Sequence, residues 1–559
     1  MHTVLVVFRA LAVFVTVTVG AASKQEYAWV TTLAAYDLSL LMLGFAARFR
    51  MVYAKVVVVS SSVVKATELS VVVVSTTAPG TLTVVTLATT LTATMDHTTS
   101  PPPDLLALPS SLRVISLNCW GLKFISKHRH ARLTEIGHQL SIASPPPSIV
   151  GLQECWTQED YLAIRSATQD ILPYAKFYWS GIFGGGLAIL SKWPIEETSM
   201  FRYPLNGRPS AFYRGDWFVG KGVACARIRI GPGRKDVIEV FNTHLHAPYE
   251  REPNDSYICH RTAQAWEIAK LMRHAAERGH AVLGLGDFNM VPLSLAHRLV
   301  EAHAPVRDVW RVLKPDSAVG GANQAAEKAR GRPVPTAEEC LREHGATCDS
   351  KFNTWRWSKE SRKALEKGRD EEVDPGVLDP RARRLDYVFL ADNGVETGYT
   401  WEIVGAEVGM TMRHPTLRCS LSDHFSIETT LVRSQGAGQK RQRERMVNPL
   451  PTSMYDTILE MITKYDGRER RQRRHRLGRF GLSIVVSLGC FVAVWWSPRN
   501  YVAFILLLIS TLGFGGGVLE GLMGGLFVGS ELRALREFRH EIERAREQAV
   551  VAAKQNHLI

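Results

Sequence analysis

Short runs of apolar and β-branched residues, separated by polar turns, recur between residues 111 and 433. Such runs predict strands, whereas the spacing of RHARLTEIGHQLS and SYICHRTAQAWEIAKLMRHAAERG predicts helices. Many strands with few helices predict an α/β fold of two stacked sheets with outer helices, rather than a doubly wound parallel sheet. The predicted strands cover 112–118, 148–154, 186–191, 223–230, 237–245, 281–287, 385–390 and 424–431.

A different pattern follows the globular region. Two uncharged apolar stretches, 480–496 and 501–519, are separated only by SPRN. A membrane-spanning helix needs roughly 20 apolar residues, so the pair predicts a two-helix transmembrane hairpin within 480–529. The alternative, two buried core helices, is weak because no amphipathic domain remains nearby to bury them. Both outer flanks are basic, which predicts an integral membrane protein with its globular domain in the cytosol. The endoplasmic reticulum and the mitochondrial membrane are the candidate membranes.

The other segments complete the predicted domain organisation. Residues 1–94 have few charges and no clear period, and we interpret them as a signal-like segment or as a gene-model artefact with the true start at Met95. We favour the artefact, because eight scattered cysteines without a C-x-x-C pair indicate reduced thiols. Only Cys340 and Cys348 are expected to be able to pair. The domain organisation continues with a polar leader at 95–110, the main domain at 111–433 with an insertion of long loops at 311–383, a basic juxtamembrane linker at 434–479, and a charged C-terminal helix at 530–559.

The net charge and its location limit the kinds of partner that this protein can bind. The chain carries 67 Lys+Arg against 54 Asp+Glu, a formal net charge of +13, which suggests an anionic partner. The arginine-rich stretch 468–476 lies directly before the apolar spans. Blocks of like charge are usually solvated and flexible, but each basic residue near an anionic leaflet is worth about 1 kcal/mol. We therefore expect anionic phospholipids to activate the protein and consider nucleic acid a poor partner; the oligomeric state is left open.

The segment RGDWFVGKG gives Gly215, Gly220 and Lys221 the spacing that opens a phosphate-binding P-loop. A P-loop also needs Ser or Thr after the lysine and then a helix. Here Gly222 and a predicted strand follow. The sequence therefore predicts no nucleotide, and the simplest interpretation is a glycine-rich turn between strands.

Polar side chains suited to metal binding or proton transfer stand at the ends of several predicted strands. Singly, each has an ordinary alternative, such as a turn, a helix cap or a structural histidine. Together, oxygen ligands without thiolates suit Mg²⁺, and histidines beside carboxylates suit phosphodiester cleavage. The residues are Asn118 in SLNCWGL, Glu154 in GLQECW, His244 in NTHLHA, Asp287 and Asn289 in GLGDFNM, and Asp423 and His424 in LSDHFS.

The order N…QE…NTHL…GDFN…LDY…SDH over residues 118–424 resembles the DNase I-like endonuclease/exonuclease/phosphatase superfamily. The hairpin and the GDWFVGKG loop are most similar to the neutral sphingomyelinase and inositol phosphosphingolipid phospholipase C branch. This resemblance implies a two-sheet α/β sandwich with the site at one edge. It also implies Mg²⁺-dependent release of ceramide and a phosphorylated headgroup from a phosphosphingolipid.

The resemblance further implies residue roles. Glu154 would bind Mg²⁺ with Asn118 assisting and Asp423 nearby, while Asp287 and Asn289 would orient the attacking water and the phosphate. His424 would be the general base, oriented by Asp386, for which a strand-end ion pair with an arginine is the alternative. His244 would donate to the phosphate oxygens, His246 could contact the substrate, and Asp216 with Lys221 would form a gating loop near the catalytic residues.

Three rival functions remain open. A nuclease of the same superfamily would use the positive charge, but it has no need of a membrane hairpin. An inositol polyphosphate phosphatase would release phosphate from a monoester. A binding module without catalytic activity would not need a residue suited to metal binding or proton transfer at every one of these positions.

Overall fold

The computed structural model describes residues 10–17, 28–42, 45–60, 63–65, 69–78, 81–89, 107–250, 254–369, 371–435 and 450–556. It divides the chain into two compact units, Met1–Ser100 and Pro101–Ile559. In the first unit the β-branched runs, for which no element was predicted, pair in an antiparallel sheet. Its strands are β1 (Ala10–Val17), β2 (Ala28–Met42), β3 (Phe45–Ser60), β4 (Val63–Lys65), β5 (Leu69–Ala78) and β6 (Thr81–Thr89).

The second unit contains two six-stranded mixed sheets, as the sequence predicted. Each predicted strand forms, and four strands that the pattern did not indicate, β9, β11, β15 and β17, extend the sheets. The first sheet has the order β17-β18-β7-β8-β10-β9 and the second β11-β12-β13-β14-β16-β15. The strands are β7 (Ser111–Asn118), β8 (Ile149–Gln153), β9 (Tyr174–Tyr178), β10 (Leu187–Ser191), β11 (Ile195–Arg202), β12 (Gly222–Arg229), β13 (Val237–His244), β14 (Ala281–Asp287), β15 (Arg307–Asp308), β16 (Asp386–Ala391), β17 (Tyr399–Gly409) and β18 (Ser426–Gln435).

Helices cover the outer faces of the sheets. Apolar side chains of both sheets pack between them, and separate apolar clusters lie under the helices of each outer face. The insertion expected to be long loops carries short helices. The helices are α1 (Arg129–Ile142), α2 (Gln158–Thr168), α3 (Asp216–Val219), α4 (Ile258–Glu277), α5 (Leu295–His303), α6 (Val309–Leu313), α7 (Ala325–Lys328), α8 (Ala337–Arg342), α9 (Lys359–Glu366), α10 (Gly394–Thr397), α11 (Thr452–Val494), α12 (Asn500–Leu522) and α13 (Val528–Asn556).

All eight cysteines are free, so the pairing considered for Cys340 and Cys348 does not form. Cys340 is buried against Ala346 and Ala382 inside the insertion, where it packs as a small apolar side chain.

The basic segment before the apolar spans is not a flexible linker from Thr452 onward. It is the first part of α11, which runs without a break into the first apolar span. Its apolar face packs into the core of the catalytic domain, together with that of α13. Residues 436–449 lie outside the described part of the chain. The buried apolar side chains of these two helices include Tyr455, Ile458, Ile462, Leu532, Leu535, Phe538 and Ile542, in one cluster with Cys259, Trp266 and Met272 of α4.

Two helical stretches are long and apolar enough to cross a membrane, Thr452–Val494 and Asn500–Gln555. Glu520, near the end of α12, connects the two stretches. Arg476 donates to Glu520 at 2.7 Å, and Arg479 lies 3.5 Å from the same carboxylate. The pair joins the two helices where the apolar stretch meets the basic flank. A five-residue π-helical turn, Met523–Phe527, then leads into α13.

A buried polar cluster fixes α11 and α13 against α4. Tyr465 donates to Glu531 at 2.6 Å, and His260 lies 3.0 Å from the same carboxylate oxygen. Glu469 is fully buried beside them, and among the described residues neither of its carboxylate oxygens has a hydrogen-bond partner. Burial and the neighbouring charge of Glu531 raise the pKa of Glu469 to about 8. The anchor between hairpin and catalytic domain therefore contains a carboxyl group that prefers to be neutral.

We predict that Glu469→Gln makes the protein more stable in alkaline solution. Unfolded Glu469 titrates near 4.5 and the folded group near 8. The unfolded state therefore loses its proton first, and stability falls as pH rises through this window. The variant cannot ionise, so its melting temperature in nanodiscs should exceed that of the wild type at pH 9 and differ little at pH 4. Glu537→Gln, at an exposed position of α13, is the control; an equal shift at both pH values would contradict the prediction.

Candidate active site

The two parallel strand pairs bring their carboxyl ends to one edge of the sandwich. In the first sheet β7 pairs with β8 so that Asn118 lies opposite Gln153, with Glu154 next along the chain. In the second sheet β13 pairs with β14 so that His244 lies opposite Asp287. Because parallel strands end at the same side of a sheet, residues distant in sequence meet here.

Asn118 connects the two sheets at this edge. Its side-chain amide donates to Glu154 Oε1 and to Asp287 Oδ2, both at 3.1 Å. Its backbone carbonyl accepts from Ser422 Oγ at 2.5 Å, which draws in the loop that carries Asp423 and His424. Asn118 is therefore positioned to orient both carboxylates.

Asp386 lies against His424, and among the described residues no arginine forms an ion pair with it. His424 Nδ1 lies 2.8 Å from Asp386 Oδ2, and its Nε2 lies 3.9 Å from Asp287 Oδ2. Burial opposes the charged imidazole, but Asp386 first, then Cys348 and Asp287, outweigh it and hold the pKa of His424 well above its ordinary value. The two carboxylates thereby stabilise the charged form of the imidazole.

The pKa of the second histidine, His244, is shifted in the opposite direction. His244 Nε2 lies 3.5 Å from Asp287 Oδ2. Burial, then the positive charges of Lys221 and His424, hold the pKa of His244 well below its ordinary value. A neutral His244 can donate one hydrogen bond without adding charge to the site.

Asn289 follows Asp287 in a tight turn with a φ of 47°. Its backbone N–H donates to Asp287 Oδ1 at 2.9 Å, and its side-chain amide donates to the Leu245 carbonyl at 3.1 Å. Asparagine adopts this left-handed conformation more readily than most residues. The turn thereby holds Asp287 and Asn289 side by side.

The acidic side of the site fits a divalent cation. Burial raises the pKa of Glu154, Asp423 and Asp287, the last to about 6, and Glu154 and Asp423 repel each other. Glu154 Oε2 is buried and accepts no hydrogen bond from the described residues. Ligand atoms of Asp287, Asp386 and His424 also lie within 4.8 Å of one another, which makes them a possible metal site. The hydrogen bond between His424 and Asp386 accounts for that closeness by itself, so the unpartnered Glu154 oxygen is the better candidate ligand.

Lys221 reaches into the same site. The segment before β12 is a four-residue helix, α3, between Gly215 and Gly220, which have φ values of 76° and 66°. Lys221 is buried, and its Nζ donates to the Leu245 carbonyl at 3.2 Å. Burial lowers the pKa of Lys221, whereas the charges of Asp216, Glu154 and Asp287 oppose that shift. A basic side chain thus stands beside the carboxylates.

Asp216 and His246 lie behind this lysine. Asp216 Oδ1 lies 3.5 Å from His246 Nδ1, and His246 stacks on Tyr257 with ring centroids 4.8 Å apart. Burial would raise the pKa of Asp216, but its hydrogen bond with His246 and the charges of His246 and Lys221 lower it. His246 is fully buried and lies against Asp216, and its contact with substrate stays a prediction.

Sequence reasoning missed Arg132 of α1. It is fully buried and donates to the carbonyls of Leu421 at 2.6 Å, Trp120 at 2.8 Å and Cys119 at 3.2 Å. These bonds join the loop after Asn118 to the loop before Asp423. The one signal in the sequence was its place beside Leu133 and Ile136 on the apolar face of a predicted helix, where arginine is rare.

The fold and the residues of this site are those of a known protein family. The chain belongs to the Endonuclease/Exonuclease/phosphatase family, whose profile matches residues 115–424. Among characterised proteins, the inositol phosphosphingolipids phospholipase C of Schizosaccharomyces pombe is 40% identical over 434 residues, which are 77% of this chain and 93% of that protein. The Saccharomyces cerevisiae protein of the same name is 33% identical over 468 residues, covering 77% of this chain and 89% of its own length. Sphingomyelin phosphodiesterase 2 of Rattus norvegicus is 38% identical over 199 residues, 36% of this chain and 46% of that protein.

We predict that Glu154→Gln weakens the binding of a divalent cation by roughly tenfold or more, because an amide replaces the candidate ligand that has an unpartnered oxygen. The same change removes a buried negative charge next to Asp423, so the metal-free protein should not lose stability. Calorimetric titration and the Mg²⁺-induced shift in melting temperature measure both effects. Glu159→Gln, at an exposed position on α2, should bind like the wild type. Unchanged affinity in Glu154→Gln would remove this residue from the metal site.

Proposed function

We propose that this protein is a membrane-anchored, Mg²⁺-dependent phospholipase C. It would hydrolyse an inositol phosphosphingolipid or sphingomyelin to ceramide and a phosphorylated headgroup. The observation that carries the proposal is the meeting of Asn118, Glu154, Asp287 and the His424–Asp386 pair at one edge of the sandwich. The names of the relatives, which cover most of this chain, supply the substrate class.

Each group then has a task. Mg²⁺ held by Glu154, Asn118 and Asp423 would supply positive charge to the phosphate and acidify a water. Asp287 and Asn289 orient that water toward phosphorus. His424, turned by Asp386, accepts the proton of that water at Nε2, and the departing ceramide oxygen takes up a proton from solvent. His244 and Lys221 face the non-bridging phosphate oxygens, where negative charge grows in the transition state.

The hairpin places this chemistry at its substrate. A sphingolipid stays in the bilayer, so a catalytic domain fixed to two spanning helices works at high effective substrate concentration. The arginines of α11 between 468 and 479 lie at the end of the apolar span, where anionic phospholipids would meet them and activate the enzyme. With both basic flanks in the cytosol, the catalytic domain would face the cytosolic leaflet of an endoplasmic reticulum or mitochondrial membrane.

Product analysis tests the reaction. Purified full-length protein in mixed micelles with Mg²⁺ should release ceramide from inositol phosphosphingolipid or sphingomyelin, and a headgroup panel will rank them. Inorganic phosphate from inositol polyphosphates would support a phosphatase instead, and nicked plasmid would support a nuclease. A preparation that binds Mg²⁺ but turns over none of these substrates would leave only a binding module.

Lys221 gives a sharper test. Lys221→Ala should lower lipid hydrolysis by roughly 100-fold, since it removes a preorganised cation from the phosphate. Mg²⁺ affinity should persist, because Lys221 repels a cation and does not bind it. Lys192→Ala, at an exposed position, is the control. Full activity of the Lys221 variant would mean that the segment is only a turn between strands, with no role in hydrolysis.

A further inference from the structure

Three large apolar side chains stand exposed on the loop that covers α3. Trp179 is 63% exposed, Ile182 71% and Phe183 62%. Together they are called the aromatic rim here. Soluble surfaces rarely gather large apolar side chains in one place, and such patches mark interaction sites.

The rim is rigidly joined to the segment that carries Asp216 and Lys221. The backbone N–H of Ile182 donates to the Phe218 carbonyl at 2.7 Å, and Ser180 Oγ donates to the Gly220 carbonyl at 2.6 Å. Gly181 has a φ of 53°, and a Cβ there would lie 2.6 Å from the Phe218 carbonyl oxygen. Phe183 and Phe218 also have ring centroids 6.1 Å apart. The aromatic rim and the segment that carries Asp216 and Lys221 therefore form one rigid body.

The same body touches the base of the hairpin. Trp217 of α3 packs on Phe527 of the π-helical turn, with ring centroids 4.8 Å apart. Phe527 follows Glu520 by seven residues, which at about 1.5 Å per residue is about 10 Å along the helix. Beside that turn, a Cβ on Gly524 would lie 3.0 Å from Arg476 Cβ, so the turn is level with the arginines of α11.

In the proposed membrane anchoring, this level would be that of the lipid headgroups. A spanning helix pair that ends at the Arg476–Glu520 ion pair puts the next turns into the interfacial layer, where tryptophan and arginine are favoured. Because Trp217 is seated there, the adjoining rim faces the same layer. The hairpin holds this distance fixed, since α11 and α13 are part of the catalytic core.

We propose that the aromatic rim inserts into the bilayer leaflet that the hairpin spans, and that it docks the mouth of the site, with Lys221, onto the membrane surface. The inference rests on the proposed membrane anchoring. Its partner is the lipid itself at the boundary of headgroup and acyl chain, where aromatic side chains bury apolar area. The rim thus orients the site toward a substrate headgroup that cannot leave the bilayer.

Depth-dependent quenching tests the insertion directly. The full-length Phe183→Cys variant is labelled with bimane and reconstituted into phosphatidylcholine nanodiscs that carry doxyl-labelled lipids. All eight native cysteines are buried or half-buried, which directs labelling to the new one. Strong quenching by shallow doxyl groups is expected. Val404→Cys, 54% exposed on β17 at the opposite edge of the first sheet, should show little.

A hydrolysis measurement tests what the insertion does. In the Ile182→Ser/Phe183→Ser variant, turnover of bilayer substrate should fall roughly tenfold, as expected when two apolar side chains leave the membrane. Turnover of a short-chain, monomeric phosphosphingolipid should stay within about twofold, since neither side chain reaches the catalytic groups. Val395→Ser/Val404→Ser, with both positions exposed and far from the rim in sequence, is the matched control.

The outcomes separate the inference from the proposed function. No quenching at position 183 in a protein that resists carbonate extraction would overturn the inference while leaving the anchor intact. Label-to-label energy transfer that rises with protein density, without quenching, would overturn it in favour of a contact between copies. Quenching in a protein that hydrolyses no phosphosphingolipid would support the docking and reject the proposed reaction.

Discussion

A pair of buried side-chain amides between the two sheets fixes how the sheets are aligned, and the geometry of the site depends on that alignment. Gln153 of β8 donates through Nε2 to Asn242 Oδ1 of β13 at 2.7 Å, and both side chains are fully buried. Asn242 in turn donates to the carbonyls of Leu152 and Ala188 at 2.9 and 3.0 Å. A buried amide left unpaired costs about 1–3 kcal/mol, so sliding one sheet over the other would break several such bonds at once. The sheets are thereby fixed one residue before Glu154 and two before His244.

That alignment lets the site collect groups that repel one another. Glu154, Asp423, Asp287 and Asp386 are gathered in one buried region, and burial alone makes their charges costly. The hydrogen bonds from Asn118 and Asn289, together with Lys221 and His424, offset part of that cost. Such a site suits a divalent cation, because the fold has already assembled the candidate ligands.

The sequence predicted most of this, and the reasons for its misses are physical. Motifs such as QE and GDFN stand at the ends of predicted strands. The alternation along each strand and the parallel pairing of the strands are therefore enough to bring Glu154 and Asp287 together. The tertiary role of Arg132 could not be predicted, because its partners are carbonyls up to 289 residues away along the chain. For His246 the alternation along a strand does not apply, because β13 ends at His244 and His246 lies beyond it, against Asp216. The four missed strands lack a clear alternation and form as neighbours of strands that were predicted.

The basic segment before the hairpin shows how far charge alone can mislead. Its arginines indicated a solvated linker, yet from Thr452 the chain is one helix whose apolar side chains recur at helical spacing beneath the charges, at Tyr455, Ile458 and Ile462. Amphipathic helices of this kind bury one face and leave the charged face free. Here the buried face makes α11, α13 and the catalytic domain one folded body, so in the proposed membrane anchoring the height of the site would be set by helix packing and not by the length of a tether. A rigid height is useful only if the surface at that height can meet lipid, and the loop beside Lys221 carries the side chains that can.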